Sequence, residues 1–231
     1  MKVTILIPTL NEEKGIGPTL DTIDRKAFAD LGWELEILVV DGNSKDRTRE
    51  EAEARGAKVL VEPRRGYGRA YKEGFKAATG DVIVTGDADG TYPFERAHEF
   101  VQRLLHQDLD FINCDRYGRL EKGAMSPKHL LGNWVLSTTA RLLFAVRLKD
   151  SQSGMWVIRR SALAKVGFET LSEGMAFSQE IKIEFLKGPG LKFAEVASSL
   201  RPRIGKPVLS SWRDGWGNLQ GLYAMRMARR W

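Results

Sequence analysis

Val82-Ile-Val-Thr-Gly-Asp-Ala-Asp-Gly-Thr-Tyr-Pro93 is the stretch on which the fold turns. Val82 to Thr85 is a short β-branched run, the signature of a buried strand, and it stops at Gly86. Asp87 and Asp89 follow at spacing i, i+2. In extended backbone these positions project to the same side, so both carboxylates converge on one hard divalent cation. Gly90 releases the chain, and Pro93 suits the first turn of a new helix. The alternative is an acidic turn after a strand, because Asp and Gly are ordinary turn residues.

Upstream, Val3 to Ile7 is an apolar β run that leads into Pro8-Thr-Leu-Asn-Glu12. Asn11 is the expected N-cap of a helix carrying Ile16, Leu20 and Ile23. Leu35 to Val40 is a second strand, ending in Asp41-Gly-Asn-Ser44, with Ser44 or Asp46 as cap of the next helix. Lys58–Val61 is a third strand and residues 68–78 a helix; another helix over 94–106 precedes a strand over 109–113. Strands alternating with helices imply βαβ units and a mostly parallel sheet with helices on both faces. Ligands in such sheets bind beyond the carboxyl ends of the strands. Those ends carry Pro8–Glu12, Asp41–Ser44, Asp87–Asp89 and Asp115-Arg116. An isolated Asp reads as a turn residue, but a whole acidic rim does not.

The chain has 231 residues and a single cysteine, Cys114, which excludes an intrachain disulfide and a cysteine-based zinc site. No apolar run reaches membrane-spanning length, and the N-terminus enters a strand pattern without the shape of a signal peptide. Neither a G-x-G-x-x-G after the first strand nor a G-x-x-x-x-G-K-[ST] occurs, which disfavours dinucleotide-binding and P-loop readings. The Gly66-Tyr-Gly68 turn, flanked by arginines, would let backbone approach a phosphate or simply begin a helix. Further on, 127–146 reads as an amphipathic helix, 155–158 as a strand, 177–186 as a helix with Glu180 and Glu184, and 193–197 as the last strand. The net charge of +6 resides wholly in residues 201–231. There Trp212, Trp216, Leu219, Tyr223, Met227 and Trp231 fall on one helical face. That is either a membrane-interface helix or a helix packed on the domain.

Taken together, Ile7-Pro-Thr-Leu-Asn-Glu12, Val39-Val-Asp-Gly-Asn-Ser44, Asp46-Arg-Thr48 and Asp87-Ala-Asp89 resemble the family 2 GT-A glycosyltransferases. Arg65-Gly-Tyr-Gly-Arg-Ala70, Asp115-Arg116, Leu131-Gly-Asn133, Asp150-Ser-Gln-Ser-Gly-Met155 and Ser211-Trp-Arg-Asp-Gly215 look like its polyprenyl-phosphate branch, typified by dolichyl-phosphate mannose synthase. The resemblance implies a GT-A (nucleotide-diphospho-sugar transferase) fold. Residues 1–211 would be one catalytic domain, with 1–113 the nucleotide-sugar half, 114–211 the acceptor half and 212–231 a basic aromatic tail.

The same resemblance assigns roles. Pro8, Thr9, Asn11, Glu12, Asp41, Gly68, Asp87 and Ala88 would line the nucleotide-sugar site, and Asp87 and Asp89 would hold Mg²⁺ or Mn²⁺. Arg116, Lys128, Arg203 and Lys206 would meet the acceptor phosphate. Thr91 stands where this family often has a metal-site Gln, and Lys128 where a second arginine is expected. The implied activity is inverting transfer of a hexose from a nucleotide-sugar of GDP-mannose or UDP-glucose type to a polyprenyl or dolichyl phosphate. A phosphate monoester is already ionised near neutral pH and needs no base. A hydroxyl acceptor does need one, and Asp150 and Glu180 are the candidates for that alternative; Asp89 is the third residue expected to bear on catalysis. A sugar-1-phosphate nucleotidyltransferase is a remote alternative. The three histidines, His98, His106 and His129, are expected to be structural or surface residues. The expected place is peripheral, at the cytoplasmic face of the cell membrane through residues 212–231, with no nucleic-acid partner.

Overall fold

The computed structural model describes residues 1–205 and 211–228. Seven strands form one sheet in the order β3-β2-β1-β4-β6-β5-β7. They are β1 (Lys2–Thr9), β2 (Glu34–Asp41), β3 (Lys58–Val61), β4 (Val82–Thr85), β5 (Phe111–Leu120), β6 (Trp156–Arg159) and β7 (Phe193–Leu200). All neighbours pair in parallel except β6, which runs antiparallel to both β4 and β5. The helices are α1 (Ile16–Asp21), α2 (Arg25–Asp30), α3 (Thr48–Glu53), α4 (Tyr67–Ala77), α5 (Ala97–His106), α6 (Pro127–Phe144), α7 (Arg160–Leu163), α8 (Phe177–Lys187) and α9 (Ser211–Ala228).

The period-two alternation of the strands divides the core in two. Val3, Ile5, Ile7, Ile37, Val39, Val82 and Val84 face one layer, packed with Ile16, Leu20, Phe28, Phe100 and Leu104 from α1, α2 and α5. Leu6, Leu38, Val40, Ile83, Phe111 and Trp156 face the other, against Tyr71, Phe75, Phe144, Phe177, Phe185 and Leu222 from α4, α6, α8 and α9. Helices therefore cover both faces, which is why the central strands are apolar on both sides.

The antiparallel β6 was not expected from the run Met155–Ile158, because a short apolar run carries no direction. Its direction matters to the site. Since β6 starts at the rim where β4 and β5 end, the preceding loop, residues 150–154, is delivered to the acidic edge.

Asn11 is not a helix cap. It has φ 54°, a left-handed conformation that Asn tolerates, and α1 begins at Ile16 after Gly15 with no side-chain cap. Ser44 and Asp46 do not occupy the cap position of α3 either, which belongs to Arg47. Asp46 Oδ1 does accept from the Thr48 amide at 3.1 Å.

Of the aromatic face expected over 212–231, Trp216, Tyr223 and Met227 are exposed, while Asn218, Leu222 and Met225 of α9 are buried. The helix packs on the domain through the latter side and turns Trp216 and Tyr223 outward. Leu131, Trp134, Val135 and Leu142 of α6 are exposed as well, and α6 lies against α9. Among the described residues, no helix is long and apolar enough to cross a membrane.

Candidate active site

The floor of the site is the switch point where the chain leaves β1 for β2 on one side and β4 on the other. The loops after β1 and β2 are tied together by short polar bonds. The Asn11 amide donates to Ser44 Oγ at 2.8 Å, and Asn11 Oδ1 accepts from the Lys45 amide at 2.8 Å. The Glu12 amide donates to Thr48 Oγ1 at 2.8 Å. Asp41, fully buried, accepts from the Ser44 amide at 2.9 Å and the Ser44 hydroxyl at 2.5 Å. Each Asp41 oxygen keeps a second lone pair for another donor. Pro8 and Thr9 end β1, and the buried Thr9 hydroxyl has no partner among the described residues. A buried hydroxyl left open in this way is suited to a ligand polar atom.

Asp87 and Asp89 end the β4 side. Asp89 Oδ1 accepts from the Thr91 amide at 3.1 Å and the Thr91 hydroxyl at 2.6 Å, so Thr91 orients this carboxylate. Ala88 stands between them, and Gly15 is required beside it: a Cβ on Gly15 would lie 2.6 Å from the Ala88 carbonyl oxygen. Gly154 gives the corresponding closeness from the other side, since its Cβ would lie 3.1 Å from Asp87 Oδ1.

Desolvation, then the charge of Asp89, pushes the Asp87 carboxyl well up, against the pull of Arg116 and Arg203. Glu12 is raised to about 7, by desolvation first, with Arg203 lowering it and Asp89 and Asp46 adding to the rise. This concentration of mutually repelling carboxylates is what a divalent cation would relieve. Among the described residues, no group of three or more His, Cys, Asp or Glu side chains could hold a metal by protein ligands alone. Asp87 and Asp89 are hard oxygen donors of the kind that hold Mg²⁺ or Mn²⁺ together with ligand phosphates.

Two arginines reach this edge, with different partners from those expected. Arg116 donates from Nε and Nη2 to the two oxygens of buried Asp150, both at 2.7 Å. Burial alone would lower the guanidinium pKa, but Asp150 outweighs it and the value rises. Arg203 contacts Asp89 Oδ2 at 2.8 Å and also Glu12, so it sits among the carboxylates that follow β1 and β4. Its attraction to two carboxylates explains that position. The backbone follows it: the Ile204 amide donates to the Asp89 carbonyl at 2.8 Å.

Other expected residues fall elsewhere. Gly68 is not a phosphate cradle: its amide donates to the Gly174 carbonyl at 3.2 Å, and a Cβ there would meet Ser172 O at 2.2 Å. It is a packing glycine between α4 and the segment before α8. Lys128 is exposed on the first turn of α6, and Lys206 lies outside the described residues. Desolvation would raise the Asp150 carboxyl, but Arg116 and Lys182 hold it below the usual carboxylate range, which makes it a weaker base. Glu180 faces Ser172, accepting from its amide at 2.7 Å and its hydroxyl at 2.5 Å. His98 packs edge-on against Phe28, while His106 and His129 are exposed.

Sequence reasoning missed Tyr92, Thr85 and Lys182. Tyr92 OH accepts from the Gly154 amide at 2.6 Å, and Thr85 Oγ1 donates to the Gly154 carbonyl at 2.8 Å. Lys182 lies fully buried beneath the 150–154 loop. Tyr92 and Thr85 flank the acidic motif and were legible by position alone; Lys182 gave no signal.

Comparison with known proteins finds the profile described as "Glycosyl transferase family 2" over residues 4–167. A low-salt glycan biosynthesis hexosyltransferase of Haloferax volcanii is 34% identical over 94% of this chain and 52% of its own. A dolichyl-phosphate hexose transferase of the same organism is 32% identical over 92% of this chain and 89% of its own. The chain thus spans about half the length of the first relative. Among solved structures, glucosyl-3-phosphoglycerate synthase from Mycobacterium tuberculosis superimposes with a TM-score of 0.76 at 20% identity, covering 98% of this chain and 80% of that one. That crystal structure is a complex with Mn²⁺, UDP-glucose and phosphoglyceric acid. At this identity the likeness establishes the GT-A fold.

Proposed function

Because the chain belongs to glycosyl transferase family 2, we propose that it moves a hexose from a nucleotide-sugar to a polyprenyl phosphate of the dolichyl type, with inversion at the anomeric carbon. The observation that carries this reading is the Arg116–Asp150 pair beside Asp87. Asp150 fixes the plane of a guanidinium next to the donor-side carboxylates, and a fixed guanidinium fork matches phosphate. The same pairing makes Asp150 a poorer base, and Ser172 engages both oxygens of Glu180. A site with a cationic anchor held by its own carboxylate suits an acceptor that arrives already ionised. The hydroxyl-acceptor alternative is thereby disfavoured.

Thr9, Asn11, Glu12 and Asp41 line the nucleotide end, where the tied loops hold their backbone fixed. Asp87 and Asp89 are the residues that would hold Mg²⁺ or Mn²⁺. Bound there with the donor diphosphate, the cation supplies positive charge against the leaving group. Thr91 keeps Asp89 in orientation for that task. Arg116 binds the acceptor phosphate, and the locked 150–154 loop keeps it aimed. Positioning and electrostatic stabilisation then account for the chemistry. The relative named a dolichyl-phosphate hexose transferase supports the acceptor class.

The donor is tested by thermal stabilisation, since a ligand of the native state raises its melting temperature. One class of nucleotide-sugar is expected to stabilise the protein in the presence of Mn²⁺ and not in EDTA. If none does, the donor assignment falls.

A polyprenyl chain has to be met at a membrane surface, and the outward apolar residues of α6 and α9 supply a surface for it. Aromatic side chains favour the headgroup level, and Arg141 and Arg226 suit anionic lipid. We place the protein peripherally there, on the cytoplasmic side. Replacing Trp134, Trp216 and Tyr223 together by serine is expected to reduce binding to anionic liposomes severalfold, given the apolar area removed. Unchanged liposome binding would return both helices to simple packing.

A further inference from the structure

We propose that Lys182 is a positioning residue for acceptor binding, its buried ammonium clamping the 150–154 loop from beneath and so fixing Asp150 and, through it, Arg116. This inference rests on the acceptor reading above.

An ammonium has three N–H donors, and each one here has a partner. Lys182 Nζ donates to Ser151 O at 2.8 Å, to Ser153 O at 2.7 Å and to Ser178 Oγ at 2.9 Å. The Trp156 ring lies 5.0 Å from the same nitrogen. Two carbonyls on either side of Gln152 are thereby drawn to one point. The loop they belong to touches both substrate sides of the site. At its start, the Asp150 carboxylate grips Arg116. At its end, Gly154 abuts Asp87. At its start the loop is also held by Glu195, which accepts from the Asp150 amide at 3.1 Å; at its middle the partners are neutral, Gln152 bonding Gln179 at 3.1 Å and Asn218 of α9 bonding Gln152 at 2.8 Å.

Burying an ammonium is costly, and an apolar side chain would fill the same space without that penalty. Methionine would leave the carbonyls of Ser151 and Ser153 without this donor, and a neutral amine has only two N–H groups for three acceptors. Charge at this point therefore serves the position of the loop rather than the stability of the fold.

The protonation of Lys182 separates these two roles. The charged groups facing it are Asp150 from the loop, Arg116 from β5, Glu195 from β7 and Asp87 from the end of β4. Desolvation lowers its pKa to about 7, against Asp150, Glu195 and Asp87, which raise it, while Arg116 lowers it further. The folded value lies below the ordinary 10.5, so between about 7 and 10.5 the unfolded chain binds more protons. Through this group, stability rises with pH across that window. The clamp behaves oppositely, because the positive charge that strengthens its hydrogen bonds is lost as pH passes about 7. A lysine that only filled space would not set stability and acceptor affinity against each other.

The test is calorimetric titration of full-length wild type and Lys182→Met with two probes, farnesyl phosphate in detergent and UDP or GDP with Mn²⁺. Farnesyl phosphate affinity is expected to fall about ten-fold in the variant, the weight of one charge-assisted hydrogen bond. Nucleotide affinity is expected to stay unchanged. The decline of wild-type farnesyl phosphate affinity above pH 7 should be flatter in the variant. Ionisation of the ligand itself contributes equally to both proteins. Lys182→Gln, with two amide N–H groups, should recover part of the loss, and it replaces the methionine variant if that does not fold. Equal farnesyl phosphate affinity in wild type and a folded variant overturns the clamp, as does an equal loss for both probes. A wild type that binds nucleotide but no farnesyl phosphate overturns the acceptor reading, and the clamp with it.

Discussion

Asp89→Asn is expected to lower kcat/KM for hexose transfer by about 1,000-fold or more, the scale seen when charge stabilisation is removed from a transition state. The substitution is isosteric, and the retained oxygen can still accept from the Thr91 amide and hydroxyl. What it removes is the negative charge facing Arg203 at 2.8 Å and the carboxylate assigned to the cation. The fold should survive, because the strand beneath, Val82–Thr85, is buried and paired on both sides. Melting temperature and Mn²⁺ titration, run beside the transfer assay, separate loss of metal from loss of structure. Wild-type turnover by the variant, or full wild-type activity in EDTA, would remove the metal from the account.

Asp150→Asn should act in a different way. Its partner Arg116 is nearly buried, so neutralising the carboxylate leaves a guanidinium without its counter-charge, a loss of about 3–5 kcal/mol for a broken buried pair. Denaturant unfolding measures that loss directly. Acceptor affinity should fall with it, because nothing then holds the fork in plane. The pH dependence also separates the readings. The Asp150 pKa is lowered, so the stability it contributes is present above its ordinary value of 3.8 and lost only as pH falls below that. An Asp150 acting as base would instead impose an ionisation on the neutral pH–rate profile, abolished in the variant. Such a limb, with stability unchanged, would favour a hydroxyl acceptor.

The N-terminal half was legible because it is local. Each strand there is a continuous apolar run, and each acidic group follows its strand within a few residues, as Asp41 follows Val40 and Asp87 follows Thr85. The rest of the proposed site depends on residues distant in sequence. Arg116 and Asp150 stand 34 apart, and their pairing requires β6 to run antiparallel, a direction that Met155–Ile158 does not encode. Arg203 and Glu12 are 191 apart, so the sequence singled out Arg203 but not its pairing with Glu12 and Asp89.

Helix α8 misled for a related reason. Every residue from Phe177 to Phe185 is buried, so the charged residues Glu180, Lys182 and Glu184 lie inside rather than on a solvated face. Glu180 looked free only while its partner Ser172 was unknown. The C-terminal helix shows the limit of periodicity: it groups Trp216, Tyr223 and Met227 on one side, but Leu222 and Met225, not these residues, pack on the domain.

The most direct test of the account is transfer of radiolabelled hexose from the stabilising nucleotide-sugar, with Mn²⁺, to a polyprenyl phosphate and to the matching polyprenol in the same detergent. Label is predicted to enter the phosphate-linked lipid and not the alcohol, with release of the nucleoside diphosphate. Equal or greater labelling of the alcohol, or release of pyrophosphate from a sugar 1-phosphate and a nucleoside triphosphate, would contradict it.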